Sequence, residues 1–407
     1  MIVPSRVLDL VRRLGPDALP TYVYDLGALD AHAAAIRAAL PRTVEFYYAV
    51  KANPDARILR VLARHAGGFE VSSGGELEHT AAAAPDRPLA FGGPGKTADE
   101  LAVALKAGTS VFHVESPHEL ALLDAAARDA GQQADVLLRV NPPGHSAGEA
   151  AQLVMGGKPS PFGMDVSLLR TCAESLSRMG AVRLRGLHAH LASGLGAEGL
   201  LAAAGRLLEF GRDWCAAQGV RQPEFNLGGG MAVDYARPDA LFGWAAYGRG
   251  LARLARDGET LRIEPGRAVT AYCGWYLTRV LDVKRSHGEA FAVVAGGTHH
   301  LRTPAAKGHD QPFAVISVPD WASPSPRPGV AAQPVTIAGQ LCTPKDVLAR
   351  RAVVKRLRAG DLLAFGLAGA YAWNISHQSF LMHPPPAFHY LPQPSMNRHD
   401  EIGGPPA

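Results

Sequence analysis

The feature of this chain that most restricts its fold is an alternation. Between about residues 28 and 270, short β-rich apolar runs take turns with Ala/Leu-rich amphipathic segments. The runs are VEFYYAVK from Val44, GGFEVSS from Gly67, PLAFGG from Pro88, TSVFHVES from Thr109, ADVLLRVN from Ala134, VRLRGLHAHLAS from Val182, PEFNLGGG from Pro223 and TLRIEPGR from Thr260. Eight such runs with helices between them predict a (β/α)8 barrel over residues 28–270. Thr97 with Glu100, and Ser116 with Glu119, have the spacing of capping boxes, the second with Pro117 at the first helical position.

After residue 270 the texture changes. WYLTRVLDVKR, AFAVVAGG, PFAVISVP, PVTIAGQL and DLLAFGLAG are strand-like runs joined by Gly/Pro loops without long helices. They predict an antiparallel, sandwich- or barrel-like β domain over 271–395, joined by residues 1–27 through the strand-like TYVYDL at 21–26. The class is therefore α/β, with a second β domain. Val318–Val330 is expected to be an exposed loop and Ser395–Ala407 a frayed tail.

Composition narrows the function. A chain of 407 residues, 47% hydrophobic and 19% charged, suits a soluble globular protein of two domains without long disorder. Its net charge of +4 comes without a Lys/Arg block, which argues against nucleic-acid and membrane-surface roles. Cys172, Cys215, Cys273 and Cys342 are dispersed and contain no CxxC. That disfavours a disulfide framework or cysteine-based zinc site and fits a reducing compartment. The N-terminus lacks a signal-peptide apolar core, and uncharged Leu362–Met382 is too interrupted by polar residues to span a bilayer. A cytoplasmic protein is expected.

In a barrel, chemistry gathers at the C-terminal strand ends. Lys51, Ser72, Ser73, Arg139, His190, Gly228–Gly230 and Glu264 all lie there. Lys51 closes an apolar strand in a chain with eight lysines. It is either an ion-paired rim lysine or an amine kept uncharged for Schiff-base chemistry. Gly228-Gly229-Gly230 is either a tight turn or a row of backbone N–H groups for an anion. Glu264 and Arg267, in EPGR, could form a structural pair or supply a carboxylate and a cation. His188 and His190 share a strand face, and alternation cannot separate their roles. A zinc pair is the competing reading, but the candidate carboxylates are assigned elsewhere, so no metal is expected. Cys342 sits in polar turn chemistry, GQLCTPKDVL, that would expose a thiol.

Taken together, YAVKAN, FEVSSGGEL, HLASG, NLGGG, EPGR, CTPKD and AGAYA resemble, in order, the fold-type III pyridoxal-phosphate decarboxylases. These alanine-racemase-like enzymes include the diaminopimelate and ornithine decarboxylases. The resemblance implies that Lys51 carries pyridoxal 5'-phosphate and His190 stacks on its ring. It implies that Ser193, Gly228, Gly229, Gly230, Gly266, Arg267 and Tyr371 hold the phosphate, and that Glu264 pairs with the pyridine nitrogen. Cys342 would return a proton, with Cys342 and Asp346 acting from the partner in a homodimer.

Two segments depart from the amino-acid decarboxylases: AYAWNISHQSFLMHPPPAFHYL, and AGGTHHLRTPAAKGHDQP with His299, His300 and Arg302. The first is similar to the siderophore branch, of the staphyloferrin B type, acting on citryl-diaminopropionate. His299, Arg302 and Asp346 are the expected substrate-binding residues. The alternatives are diaminopimelate decarboxylase, a racemase, or a non-catalytic relative of the fold.

Overall fold

The computed structural model describes residues 1–15, 18–142, 153–154, 157, 159–392 and 402–403. Two compact units emerge. One comprises Ala31–Ala232 with Phe242–Val269; the other comprises Met1–Asp30, Val233–Leu241 and Thr270–Ala407.

The first unit is a closed parallel barrel. Its strands in chain order are β1 (Val44–Ala49), β2 (Gly68–Val71), β3 (Leu89–Phe91), β4 (Val111–Val114), β5 (Ala134–Arg139), β6 (Val182–His188), β7 (Glu224–Asn226) and β8 (Thr260–Ile263). Each of the eight apolar runs supplies one. Closure is made by β8 against β1, with Leu261 opposite Val44 and Ile263 opposite Phe46.

Helix starts between the strands follow local chemistry. Thr97 caps Ala98–Lys106 in a full capping box with Glu100. At Ser116 only half of the expected box forms: the hydroxyl accepts from the Glu119 N–H. The Glu119 carboxylate instead bonds the buried Lys96 Nζ at 2.6 Å and the Glu115 N–H at 3.0 Å. A buried ammonium out-competes a backbone amide for that charge.

The second unit is a sheet of nine strands among the described residues, mostly antiparallel. Its long strand Gly274–Ser286 pairs with Thr21–Asp25, Leu362–Phe365 and Glu289–Val294 along successive stretches, with a register shift between Val280 and Asp282. Thr21–Asp25 enters this sheet between Gly274–Ser286 and Ala387–Leu391. Two pairings are parallel, Thr21–Asp25 with Ala387–Leu391 and Glu289–Val294 with Gly329–Ala338, so the sheet is not purely antiparallel. Helix Ser5–Leu14 packs Val7, Leu10 and Val11 on Val23, Trp275, Leu277 and Leu362. Most of the tail at 395–407 lies outside the described residues.

Close packing inside the barrel unit gives a direct test. Gly248, in helix Trp244–Leu254, approaches residue 39 so closely that a Cβ would lie 2.0 Å from the Ala39 carbonyl oxygen. Backbone cannot give way as a side chain can, so Gly248→Ala should destabilise the protein by about 1–3 kcal/mol. Urea unfolding should show an earlier midpoint; an unchanged midpoint would contradict this packing.

Candidate active site

The alternation of a strand, carried around the barrel, sorts the rim residues. Tyr47, Ala90, Val111 and Leu137 form one buried cluster. Two residues further along their strands, or level with that position on the neighbours, come Glu70, His113, Arg139, His188 and Asn226, all buried and polar. Above them lie Lys51, Ser72, His190, Gly228 and Glu264.

Lys51 sits in a single helical turn, Val50–Ala52, directly after β1. Its Nζ is ion-paired with Glu70 Oε2, and Glu70 Oε1 accepts from Ser72 Oγ at 3.0 Å. Burial pushes the Glu70 carboxyl up, but the Lys51 ammonium and the bonds from Lys51 and Ser72 outweigh it and hold the group below its usual value. So Lys51 does have a carboxylate partner, within the same barrel mouth as the glycine turn.

Glu264 is 6% exposed and accepts from Asn226 Nδ2 at 2.6 Å. His113 Nε2 and His188 Nε2 each lie 3.7 Å from its oxygens, and the two imidazoles stack with centroids 4.2 Å apart. Burial, reinforced by the Glu70 charge, pushes the Glu264 carboxyl up to about 7. Both histidines are driven well below their ordinary value, mainly by burial, and are neutral. These three residues also lie close enough to ligate a metal ion. As neutral rings packed under Glu264 they equally suit an apolar floor, the commoner use of buried imidazole.

The roles of His188 and His190 separate by height. His188 is in the buried layer, whereas His190 is at the rim, where its Nδ1 accepts from the Gly229 N–H at 2.9 Å. That bond leaves its proton on Nε2, 3.5 Å from Ser193 Oγ. Burial and the charges of Arg139 and Lys51 lower His190 to about 3, so its ring is neutral.

The glycine triplet does not present a simple row of donors. The Gly228 N–H is taken by Asn226 Oδ1 at 2.9 Å and that of Gly229 by His190. What the glycines provide is space. A Cβ at Gly229 would lie 2.4 Å from the Glu264 carbonyl, one at Gly230 2.2 Å from that of Ala192, and φ is positive at Gly228 and Gly230. Gly266 is confined too, since a Cβ there would lie 2.8 Å from Ala52 Cβ, and the EPGR turn is tied to β1 by the Ala49 N–H donating to the Pro265 carbonyl. Arg267 opens the short helix Arg267–Thr270. Arg139 is held by Glu115 at 2.6 Å.

The remaining candidates belong to the sheet unit. Cys342 is exposed on a turn shaped by Asp346. Both Asp346 oxygens are occupied by backbone, the Thr298 N–H at 2.6 Å and the Leu341 N–H at 2.8 Å, so this carboxylate builds the turn. His299 is fully buried between His300 and His383, and burial lowers it to about 4. His300 is anchored by Tyr276 and the Pro384 carbonyl. Arg302 is exposed, without an ion pair among the described residues, and its N–H bonds Ser376 Oγ. Tyr371 has φ of 49° and accepts a bond from Thr303 through its carbonyl.

Sequence reasoning missed Glu70, His113 and Asn226. Glu70 and Asn226 stand on the inner face two residues below Ser72 and Gly228, which it did find, so the period-two rule held their signal; His113 stands two residues below Glu115, which carried no such mark.

A strand-end amine, a turn too tight for any Cβ, a neutral rim imidazole and a buried carboxyl that ionises near neutrality fit pyridoxal phosphate. They match its aldehyde, its phosphate, its ring face and its ring nitrogen. Barrel and site thus define the pyridoxal-phosphate class of fold-type III. Residues 26–271 match the family model for the pyridoxal-dependent decarboxylase, pyridoxal binding domain. The chain is 37% identical over 377 residues to 2-[(L-alanin-3-ylcarbamoyl)methyl]-2-hydroxybutanedioate decarboxylase of Staphylococcus aureus, covering 91% of this chain and 94% of that one. It is 31% identical to L-glutamyl-[BtrI acyl-carrier protein] decarboxylase of Niallia circulans, over 90% of this chain and 87% of the relative. The crystal structure of diaminopimelate decarboxylase from Helicobacter pylori complexed with L-lysine superposes with a TM-score of 0.82 at 25% identity, covering 95% and 94%. The chain belongs to the pyridoxal-dependent decarboxylases, and its cofactor is pyridoxal phosphate.

The raised Glu264 carboxyl has a sign that can be measured. Its folded value of about 7 lies above the ordinary 4.5, so the folded apoprotein holds that proton more tightly than the unfolded chain. The resulting stability is complete below about pH 4.5 and lost as pH rises through 7. Glu264→Gln apoprotein should therefore resist urea better than wild type at about pH 8, by on the order of 3 kcal/mol, and nearly equally at about pH 4.5. A difference independent of pH would contradict the assignment.

Proposed function

We propose that the enzyme removes the α-carboxylate of a citrate-conjugated diaminopropionate in siderophore biosynthesis. The observation that carries this is the 37% identity, across nearly the full length of both chains, to a decarboxylase whose name specifies a substituted hydroxybutanedioate. The exposed Arg302 beside Ser376 supports it, since a conjugate with extra carboxylates needs a cation the sheet unit has not already paired.

Pyridoxal phosphate supplies the electron sink for the carbanion left by decarboxylation. The chain's own residues do the rest. Lys51 is the amine that binds the cofactor, and Glu70 holds that nitrogen at the strand end. Glu264 holds the proton facing the ring nitrogen. The His190 ring, fixed by the Gly229 N–H, would pack on the cofactor's face, and Ser193, Gly266, Arg267 and Tyr371, with the space left at Gly228–Gly230, would hold its phosphate. Cys342 delivers the proton to Cα, a general-acid contribution of about 10²–10⁴-fold. It acts from a second copy of the chain in a cytoplasmic homodimer. Asp346 keeps the Cys342 turn in shape, and Arg302 serves the substrate end, whereas His299, expected there too, is fully buried between His300 and His383 and packs the sheet unit instead.

Diaminopimelate is the second reading, favoured by the full-length superposition on the Helicobacter pylori enzyme. Purified enzyme should release CO2 from the citryl conjugate of L-2,3-diaminopropionate much faster than from meso-diaminopimelate. The reverse preference would replace this substrate with the second. Cys342→Ala should keep the cofactor's absorbance and lower kcat by about 10²-fold or more. Unchanged turnover would remove Cys342 as the acid.

A further inference from the structure

Asn226 lies two residues before the glycine triplet, at the end of β7, and is fully buried. Its side chain has three partners. Nδ2 donates to Glu264 Oε1 at 2.6 Å and faces His113 Nε2 at 3.2 Å, while Oδ1 accepts from the Gly228 N–H at 2.9 Å. An amide offers two N–H donors and one carbonyl, so all are used in a single orientation. Turned over, the carbonyl would face a carboxylate and the NH2 group would face a backbone N–H. His113 must then accept at Nε2 and carry its proton on Nδ1, which makes it a neutral support for the amide.

The backbone repeats the connection. The Glu264 N–H donates to the Gly228 carbonyl at 2.8 Å, and the next amide, Gly229, holds His190. We propose that Asn226 is a positioning residue that fixes the Glu264 carboxylate and the glycine turn together. One side chain thereby sets both the group facing the ring nitrogen and the group that seats the rim imidazole.

The choice of amide over acid follows from charge. An aspartate would place a second carboxylate where Nδ2 now donates, and two such groups in one buried site cannot both ionise. The amide instead stabilises the charged form of Glu264 and adds no charge of its own. Asn226, fully buried, acts through Glu264 and the glycine turn.

This inference rests on reading the barrel mouth as a pyridoxal-phosphate site, and a binding cycle separates the two. Apoprotein is titrated with pyridoxal phosphate for wild type, Asn226→Ala, Glu264→Gln and the double variant. Asn226→Ala should weaken binding by about tenfold or more in the wild-type background and by a clearly smaller factor, about threefold, beside Glu264→Gln, because the part that passes through that carboxylate is already lost and only the part through the glycine turn remains. Equal losses in both backgrounds, or no loss, would overturn the role while leaving the cofactor site intact. Wild-type apoprotein that binds no pyridoxal phosphate would overturn the site itself. Should Asn226→Ala fail to fold, Asn226→Asp keeps the volume. Its binding deficit should grow from about pH 5.5 to pH 8 as the shared proton is lost, and a deficit independent of pH would refute the proposal.

Discussion

Pairing of the last barrel strand with the first is the constraint on which the site depends. With Ile263 opposite Phe46, the eight strands close and all their C-terminal ends meet at one rim. Side chains from β1, β2, β4, β6, β7 and β8, up to about 220 residues apart in the sequence, then share one buried neighbourhood. Lys51, Glu70, His113, His190, Asn226 and Glu264 come together for no other reason. Gly186 on β6, where a Cβ would strike the Glu224 carbonyl at 2.0 Å, shows how little slack the closure leaves.

Within that neighbourhood burial assigns the charges. Glu70 keeps its charge because an ammonium pairs with it directly, whereas at Glu264 burial and the Glu70 charge outweigh the Asn226 amide and the more distant Lys51 and Arg262 charges. Two carboxyl groups in one cavity are thus driven apart in acidity by their partners, a division of labour familiar from acid–base sites. The histidines are neutral because burial and nearby cations make a further charge too costly. The result is a site with one ionised acid paired to the lysine and a second acid, poised near neutrality, in the same barrel mouth.

Much of the barrel was legible in the sequence because each β-rich run is short, apolar and followed by an amphipathic segment, and neither signal needs tertiary context. Lys51 and Glu264 could be read because each ends such a run. The buried layer beneath them could not be singled out: Glu70, His113 and Asn226 sit inside strands where polar residues might face either way until closure fixes the inner side. The half-formed capping box at Ser116 failed for a tertiary reason, since Lys96 is brought to Glu119 by folding. The glycine triplet could be read as a tight turn or as a row of donors, and two of its amides are consumed by side chains whose proximity only the barrel creates. In the sheet unit, Asp346 followed the motif, but the backbone amides of Thr298 and Leu341 claim its oxygens.

The central claim is that the amine ending β1, now held against Glu70, is the one that binds the cofactor. Holoenzyme treated with borohydride, digested and sequenced by mass spectrometry tests it directly. A phosphopyridoxyl group should appear on Lys51 and on none of the other seven lysines. A modification at Lys96 or Lys284, or none on a catalytically active preparation, would contradict it.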